Sequence, residues 1–487
     1  MSFYERLSAQ DASFIGLEDA RCHMHVGGVM LFDAAPLRTP EGGIDIERIY
    51  RVIEARLHLV PRFRQRLAFL PYEQLPIWID DDRFRLAYHV RHTALPRPGD
   101  ERMLKRLVGR IMSQQLDRGR PLWEMWFVEG LENDQFALIS KTHHCMIDGV
   151  SGADLISVIM EPFPNLDPGE PLAWMPRQHP SDARLIVDEV RRRLVQPLDV
   201  LRAARTAIRH PETTLAKVEE SVSALAEAFS PALSPASQLP INTEVGPSRR
   251  FDWTAMAVAD LKAVKAVLGG TLNDVVLATV SGALRRFCQL RAIDPDVLNV
   301  RALVPVSVRG AAEHGALGNR ITEIVAPLPI HLEDPLARLE AVRITMGGLK
   351  ESKQALGGEV MTAIAEWTVP TVLVQAVKLA LRARPYNLTV TNVPGPQIPL
   401  YFAGCEMKTT FPVVPLLQNV ALVVGLFSYN GGLFWGLTAD WEQMPDLHDF
   451  VGFIEESFAE LQQCAARATA AAMPKRRMAR RRASARG

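Results

Sequence analysis

The chain has 487 residues, 48% of them hydrophobic, with 55 basic and 55 acidic side chains and a formal net charge of zero. That size and apolar content suit a globular protein of two or more domains with a large core. The charge balance argues against a nucleic-acid partner, and no apolar run reaches the length that spans a bilayer.

In chain order, residues 1–6 carry no secretory signal pattern. Residues 25–32 read as a strand, residues 104–112 as an amphipathic helix and residues 136–142 as a second strand. That strand runs into His143-His144-Cys145-Met146-Ile147-Asp148-Gly149, and residues 149–156 then read as a helix start. Pro162, Pro164, Pro168, Pro171, Pro176 and Pro180 follow as a linker, since proline sustains neither a helix nor a central strand. Residues 182–229 return to helical spacing, and a second mixed region runs from Arg249 to about Arg467. The division expected is therefore an N-terminal domain over 1–165, a Pro-rich and helical linker over 166–245, a C-terminal domain over 246–470 and a basic tail over 471–487. The tail concentrates Lys475, Arg476, Arg477, Arg480, Arg481, Arg482 and Arg486, and self-repulsion predicts disorder there. Such a tail, or the helical linker, has the chemistry to meet an anionic lipid surface, although a solvated tail and a linker docked on the protein are the simpler expectations. The five cysteines, Cys22, Cys145, Cys288, Cys405 and Cys464, form no zinc or redox spacing and point to reduced thiols in the cytoplasm.

The histidine segment carries the chemistry. Imidazole is the side chain best matched to proton transfer near neutral pH. Neighbouring strand residues point to opposite faces, so one histidine is expected to face a reacting atom while the other packs or braces. The structural alternative makes Asp148 a helix cap and both histidines satisfied interior groups. A metal site is disfavoured, because no His or Cys partners stand at ligand spacing. Cys145 beside a histidine has the form of a nucleophile, but an apolar structural thiol is the better reading.

The segment fits the His-His-x-x-x-Asp-Gly signature of the CoA-dependent acyltransferase superfamily. Further segments narrow the likeness. They are residues 7–14, Met24-His25-Val26-Gly27, Pro61-Arg62-Phe63-Arg64, Pro121-Leu122-Trp123-Glu124, residues 272–277, residues 304–309, Gly318-Asn319-Arg320 and residues 391–396. Together and in this order they resemble the bacterial wax ester synthase/acyl-CoA:diacylglycerol acyltransferase family over nearly the full chain.

The resemblance implies an α/β protein of two chloramphenicol-acetyltransferase-like domains with a substrate channel between them. It implies transfer of a long-chain acyl group from acyl-CoA to diacylglycerol or a fatty alcohol, with no cofactor beyond the CoA thioester and no metal. His144 is the expected general base, acting in a direct ternary complex, with His143 supporting and Asp148 orienting, Arg309 being its candidate partner. Asn273 is a candidate polar stabiliser of the oxyanion, balanced against a role as a helix cap. Trp123, Gly149, Arg309, Thr391 and Asn392 are candidate substrate contacts. Trp123 is weighed against a place in the core, Thr391 and Asn392 against a simple turn, and His25 is expected to be structural. A soluble enzyme visiting the inner membrane face or a lipid droplet fits such insoluble products. The alternatives are a condensation enzyme of another superfamily branch, usually one domain of a longer chain, and a non-catalytic lipid-binding protein of the same fold.

Overall fold

The computed structural model describes residues 4–71, 75–146, 159–167, 169–191, 235–307, 321–351 and 383–484. Three sheets frame the molecule. A small one joins β1 (Glu5–Arg6), β3 (Gln65–Phe69) and β4 (Pro76–Asp80) in the order β1-β4-β3. The first six-stranded sheet has the order β12-β13-β2-β7-β6-β5, built from β2 (His25–Asp33), β5 (Val90–Ala94), β6 (Trp123–Glu129), β7 (Gln135–His143), β12 (Tyr401–Phe402) and β13 (Cys405–Val413). The second has the order β10-β9-β11-β14-β15-β8, from β8 (Arg249–Ala257), β9 (Val300–Ser307), β10 (Ile321–Leu328), β11 (Leu388–Pro394), β14 (Leu422–Tyr429) and β15 (Gly432–Asp440).

Helices cover the sheets where local chemistry starts them. Helix α1 (Ala9–Leu17) begins at Ser8, whose hydroxyl accepts the Asp11 N–H. Helix α2 (Ile46–Arg56) is capped by Asp45, and α4 (Glu101–Met112), after the single turn α3 (Leu86–His89), by Asp100. In the second half, α5 (Val258–Leu268) precedes α6 (Leu272–Leu290), which opens on a reciprocal capping box between Thr271 and Asp274. Helices α7 (Pro335–Glu351) and α8 (Leu447–Ser484) follow. Each large sheet has its own core: Val29, Phe32, Phe127 and Phe136 lie in the first, and Val276, Leu284, Val424 and Leu437 in the second.

The strands expected at 25–32 and 136–142 and the helix at 104–112 are present as β2, β7 and α4. The boundaries differ in three places. Strands β12 and β13 leave the C-terminal region and complete the first sheet, with β13 antiparallel to β2, so 246–470 is not one self-contained unit. Leu239, Ile241 and Val245, assigned to the linker, are buried in the second core because their apolar side chains fill it. The tail expected to be disordered continues α8 as helix through Ser484; the alanine-rich run at 465–472 favours helix. The linker starts as a helix over 182–191 that docks on the small sheet through Leu185 and an Arg6–Glu189 ion pair of 2.6 Å. Among the described residues no single helix is long and apolar enough to cross a membrane. The bent pair α5–α6, the one candidate by length and composition, packs in the second core.

Candidate active site

Strand β7 delivers the two histidines. It pairs with β2 so that His143 faces His25, and the chain then turns through a short 3-10 segment at His144–Met146. Gly27 permits this pairing: a Cβ there would stand 1.9 Å from the Ser140 carbonyl oxygen. His143 is fully buried, its N–H bonded to the Leu122 carbonyl at 2.9 Å. Its Nδ1 accepts the Cys145 N–H at 3.2 Å, which assigns the ring proton to Nε2. That Nε2 looks toward the Glu18 carboxylate at 3.6 Å, beyond hydrogen-bond length but within strong electrostatic reach.

Glu18 is the hub of the buried polar network. It follows α1, its side chain is 2% exposed, and Arg118 donates to Oε2 through Nε at 3.0 Å and Nη2 at 2.7 Å. Its Oε1 lies 3.4 Å from Nε2 of His25. Burial pushes the carboxyl up, but His143, His25 and Arg118 together outweigh it and hold the group well below the usual carboxylate range. Burial drives His25 down to about 3 against the pull of Glu18, so that ring is neutral. Lys141, also buried, donates to the Ile111 carbonyl at 2.9 Å and to that of Gln114, fixing the end of α4 against β7. Burial lowers its ammonium to about 8.

His144 is held differently. Its N–H donates to the Met24 carbonyl at 2.7 Å, and its ring lies 4.0 Å from that of Phe14, tilted by 35°. The side chain is half-buried, and Nδ1 has no hydrogen-bond partner among the described residues. Burial, aided by the neighbouring His143, brings its pKa down to about 4, so the ring is neutral and ready to take a proton at neutral pH. Phe14 packs against both large cores and Met24 lies in the second, which sets His144 at the seam between the two halves.

The other expected site residues divide. Asn273 is half-buried in the first turn of α6, but Thr271, not Asn273, caps that helix. Thr391 and Asn392 are half-buried near the end of β11, and the adjoining Val393 packs on the first core. Trp123 is 1% exposed, stacks between Phe63 and His89 and donates Nε1–H to the Phe63 carbonyl at 2.9 Å. It is therefore a core residue and not a channel wall, because its polar tip and both faces are already occupied. Cys145 is fully buried, and burial raises its thiol well above the ordinary range, which removes it as a nucleophile. Asp148, Gly149 and Arg309 lie outside the described residues. Glu18 and Arg118 are what the sequence reading missed; the signal was an acidic residue closing the apolar run Phe14-Ile15-Gly16-Leu17.

Compared with known proteins, the chain matches the wax ester synthase/diacylglycerol acyltransferase catalytic domain over residues 7–276 and the C-terminal domain of the same family over residues 317–462. The chain belongs to this family. It is an acyl-CoA-dependent O-acyltransferase. A putative diacylglycerol O-acyltransferase of Mycobacterium tuberculosis is 32% identical over 473 residues, 94% of this chain and 90% of its own length. A second relative from that organism, a probable diacylglycerol O-acyltransferase, is 32% identical over 93% of this chain and 95% of its own. The solved wax ester synthase/diacylglycerol acyltransferase of Marinobacter aquaeolei is 28% identical, with a TM-score of 0.67, over 95% of this chain and 100% of that one. The starter condensation domain of rhizomide synthetase shares the fold, at a TM-score of 0.56 and 13% identity over 95% of this chain and 94% of its own.

Proposed function

We propose that His144 is the general base of a direct acyl transfer from a long-chain acyl-CoA to diacylglycerol, with a long-chain alcohol as second acceptor. The half-buried, neutral imidazole at the seam carries this reading. The acceptor hydroxyl gives its proton to His144 as its oxygen attacks the thioester carbonyl. The tetrahedral oxyanion then collapses, the carbon–sulfur bond breaks, and the imidazolium returns the proton to the departing CoA thiolate. No acyl-enzyme forms, and the products are free CoA and triacylglycerol or wax ester. General-base assistance of this kind contributes about 10²- to 10⁴-fold in rate. The names of the relatives favour diacylglycerol as acceptor.

In this account His143 is a positioning residue. Glu18 keeps its proton on Nε2, which leaves Nδ1 to accept the Cys145 N–H and set the turn that aims His144. Asn273 serves as a polar stabiliser of the oxyanion. Asp148 orients the loop, with Arg309 as its partner, while Gly149, Thr391 and Asn392 edge the substrate path. The two halves act as chloramphenicol-acetyltransferase-like domains enclosing a channel, from which water is kept so that it does not compete with the acceptor. The enzyme works from the cytoplasm at the inner membrane face or a lipid droplet, where its acceptor is dissolved. The test is free CoA release from palmitoyl-CoA with diolein and with hexadecanol in parallel. Acceptor-dependent release, faster with diolein, is expected; a burst of CoA release without acceptor would overturn the ternary-complex route.

A further inference from the structure

A cavity of about 690 Å³ opens at the seam between α4 and β8, and its lining includes neither His143 nor His144. Five of its lining residues are basic and two acidic, in a chain whose overall charge is zero. Two of the bases are already committed. Lys105 pairs with Glu101 at 2.5 Å and with Asp252, and buried Arg249 donates to the carbonyls of Gly246, Ser248 and Arg21. The other three make no ion pair among the described residues, although Arg250 also feels the Asp446 carboxylate and donates from Nη2 to the Trp441 carbonyl at 3.3 Å. Arg102 and Arg106 project one turn apart from the exposed face of α4, with no acidic partner among the described residues. Arg250 lies over the Trp441 ring at 3.9 Å, and its Nε is buried without a hydrogen-bond partner. Burial and the charge of Arg106 both act against its guanidinium. Like charges gathered in a concavity with an unsatisfied donor call for an anion. Trp441 beside them is 45% exposed and offers an aromatic surface.

The cavity also adjoins the support of the histidine turn. Its inner wall is Gly109 against Arg249, so close that a Cβ on Gly109 would lie 2.7 Å from the Arg249 carbonyl oxygen. Beyond that wall, the Ser113 hydroxyl accepts the Arg249 N–H at 2.7 Å, and the Leu116 N–H reaches Nε2 of His25 at 3.4 Å.

We propose that this cavity holds the phosphorylated nucleotide end of the acyl-CoA donor, with Arg102, Arg106 and Arg250 taking its phosphates and Trp441 meeting its base. The inference rests on the acyl-CoA chemistry of the family. Concavity favours a nucleotide over a flat lipid surface, and guanidinium forks match phosphate oxygens.

The test compares kcat/KM for palmitoyl-CoA with that for S-palmitoyl-pantetheine, which lacks the nucleotide, in the native chain and in Arg102→Ala/Arg106→Ala. Both residues are exposed, so the fold should tolerate the change. The native preference for palmitoyl-CoA is expected to shrink about tenfold or more, through KM. Adenosine 3′,5′-bisphosphate, titrated calorimetrically, should bind the variant correspondingly more weakly, a readout independent of turnover. An unchanged preference with unchanged bisphosphate binding overturns the proposal, as does an equal loss with both donors. Weaker binding to phosphatidylglycerol vesicles with donor preference intact would assign the cavity to a lipid headgroup instead. Absence of turnover by the native chain with retained bisphosphate binding would fault the acyl-CoA reading and not the cavity.

Discussion

Replacing Glu18 with alanine isolates the support of the histidine turn. The carboxylate is 2% exposed and faces Arg118, His25 and His143, at 2.7, 3.4 and 3.6 Å for the nearest atoms. Removing one partner from a buried ionic group costs about 3–5 kcal/mol. Arg118 is 39% exposed and can regain water, and His25 is neutral, so a loss of about 2–3 kcal/mol in stability is expected. Catalysis should suffer separately. Without the carboxylate, His143 is free to move its proton to Nδ1, where it no longer accepts the Cys145 N–H. A fall in kcat of about 10- to 100-fold is expected, smaller than loss of the base itself, with KM for palmitoyl-CoA little changed. Glu18→Gln, which keeps an acceptor for both Arg118 and His143, should recover much of it. The assay is a double-mutant cycle with His143→Ala, read by CoA release and thermal melting. If Glu18 acts through His143, Glu18→Ala adds little to kcat loss in the His143→Ala background. Fully additive kcat losses, or a melting shift with kcat intact, would refute the positioning argument.

Other consequences follow from the same geometry. The depressed His144 pKa, about 4, keeps the base form populated across the physiological range, so kcat/KM should stay level from pH 7.5 down to about 5 and fall only below that; an acid limb centred near 6.5 would show that the ring is not desolvated in the working enzyme. Trp123→Ala should cost about 3–5 kcal/mol in chemical denaturation, as for other buried tryptophans, while the chain-length preference among acyl-CoAs stays the same; an altered preference with normal stability would return Trp123 to the channel wall.

What the sequence conveyed depended on how local the information was. Strands β2 and β7 announce themselves through β-branched and apolar runs, and α4 through its 3.6-residue period, because each pattern lies within one element. The histidine pair was legible for the same reason, since strand, motif and turn are contiguous. Glu18 was not: it sits 125 residues before His143, and only tertiary folding brings them together. The crossing of β13 into the first sheet is likewise a pairing between residues nearly 400 positions apart, such as Phe411 with Val29, and no periodicity encodes it. Trp123 misled because an aromatic in a motif looks the same in sequence whether its ring lines a channel or, as here, is stacked between Phe63 and His89. The α6 capping box shows the opposite case: Thr271 and Asp274 were readable from spacing, but attention to Asn273 placed the cap two residues too late.

The most direct test of the central claim is acceptor-dependent CoA release from palmitoyl-CoA by the native chain and by His144→Ala, with folding of the variant checked by thermal melting. The account predicts a loss of at least about 100-fold in kcat with the fold retained. Release that persists at the native rate in a folded His144→Ala variant would contradict it.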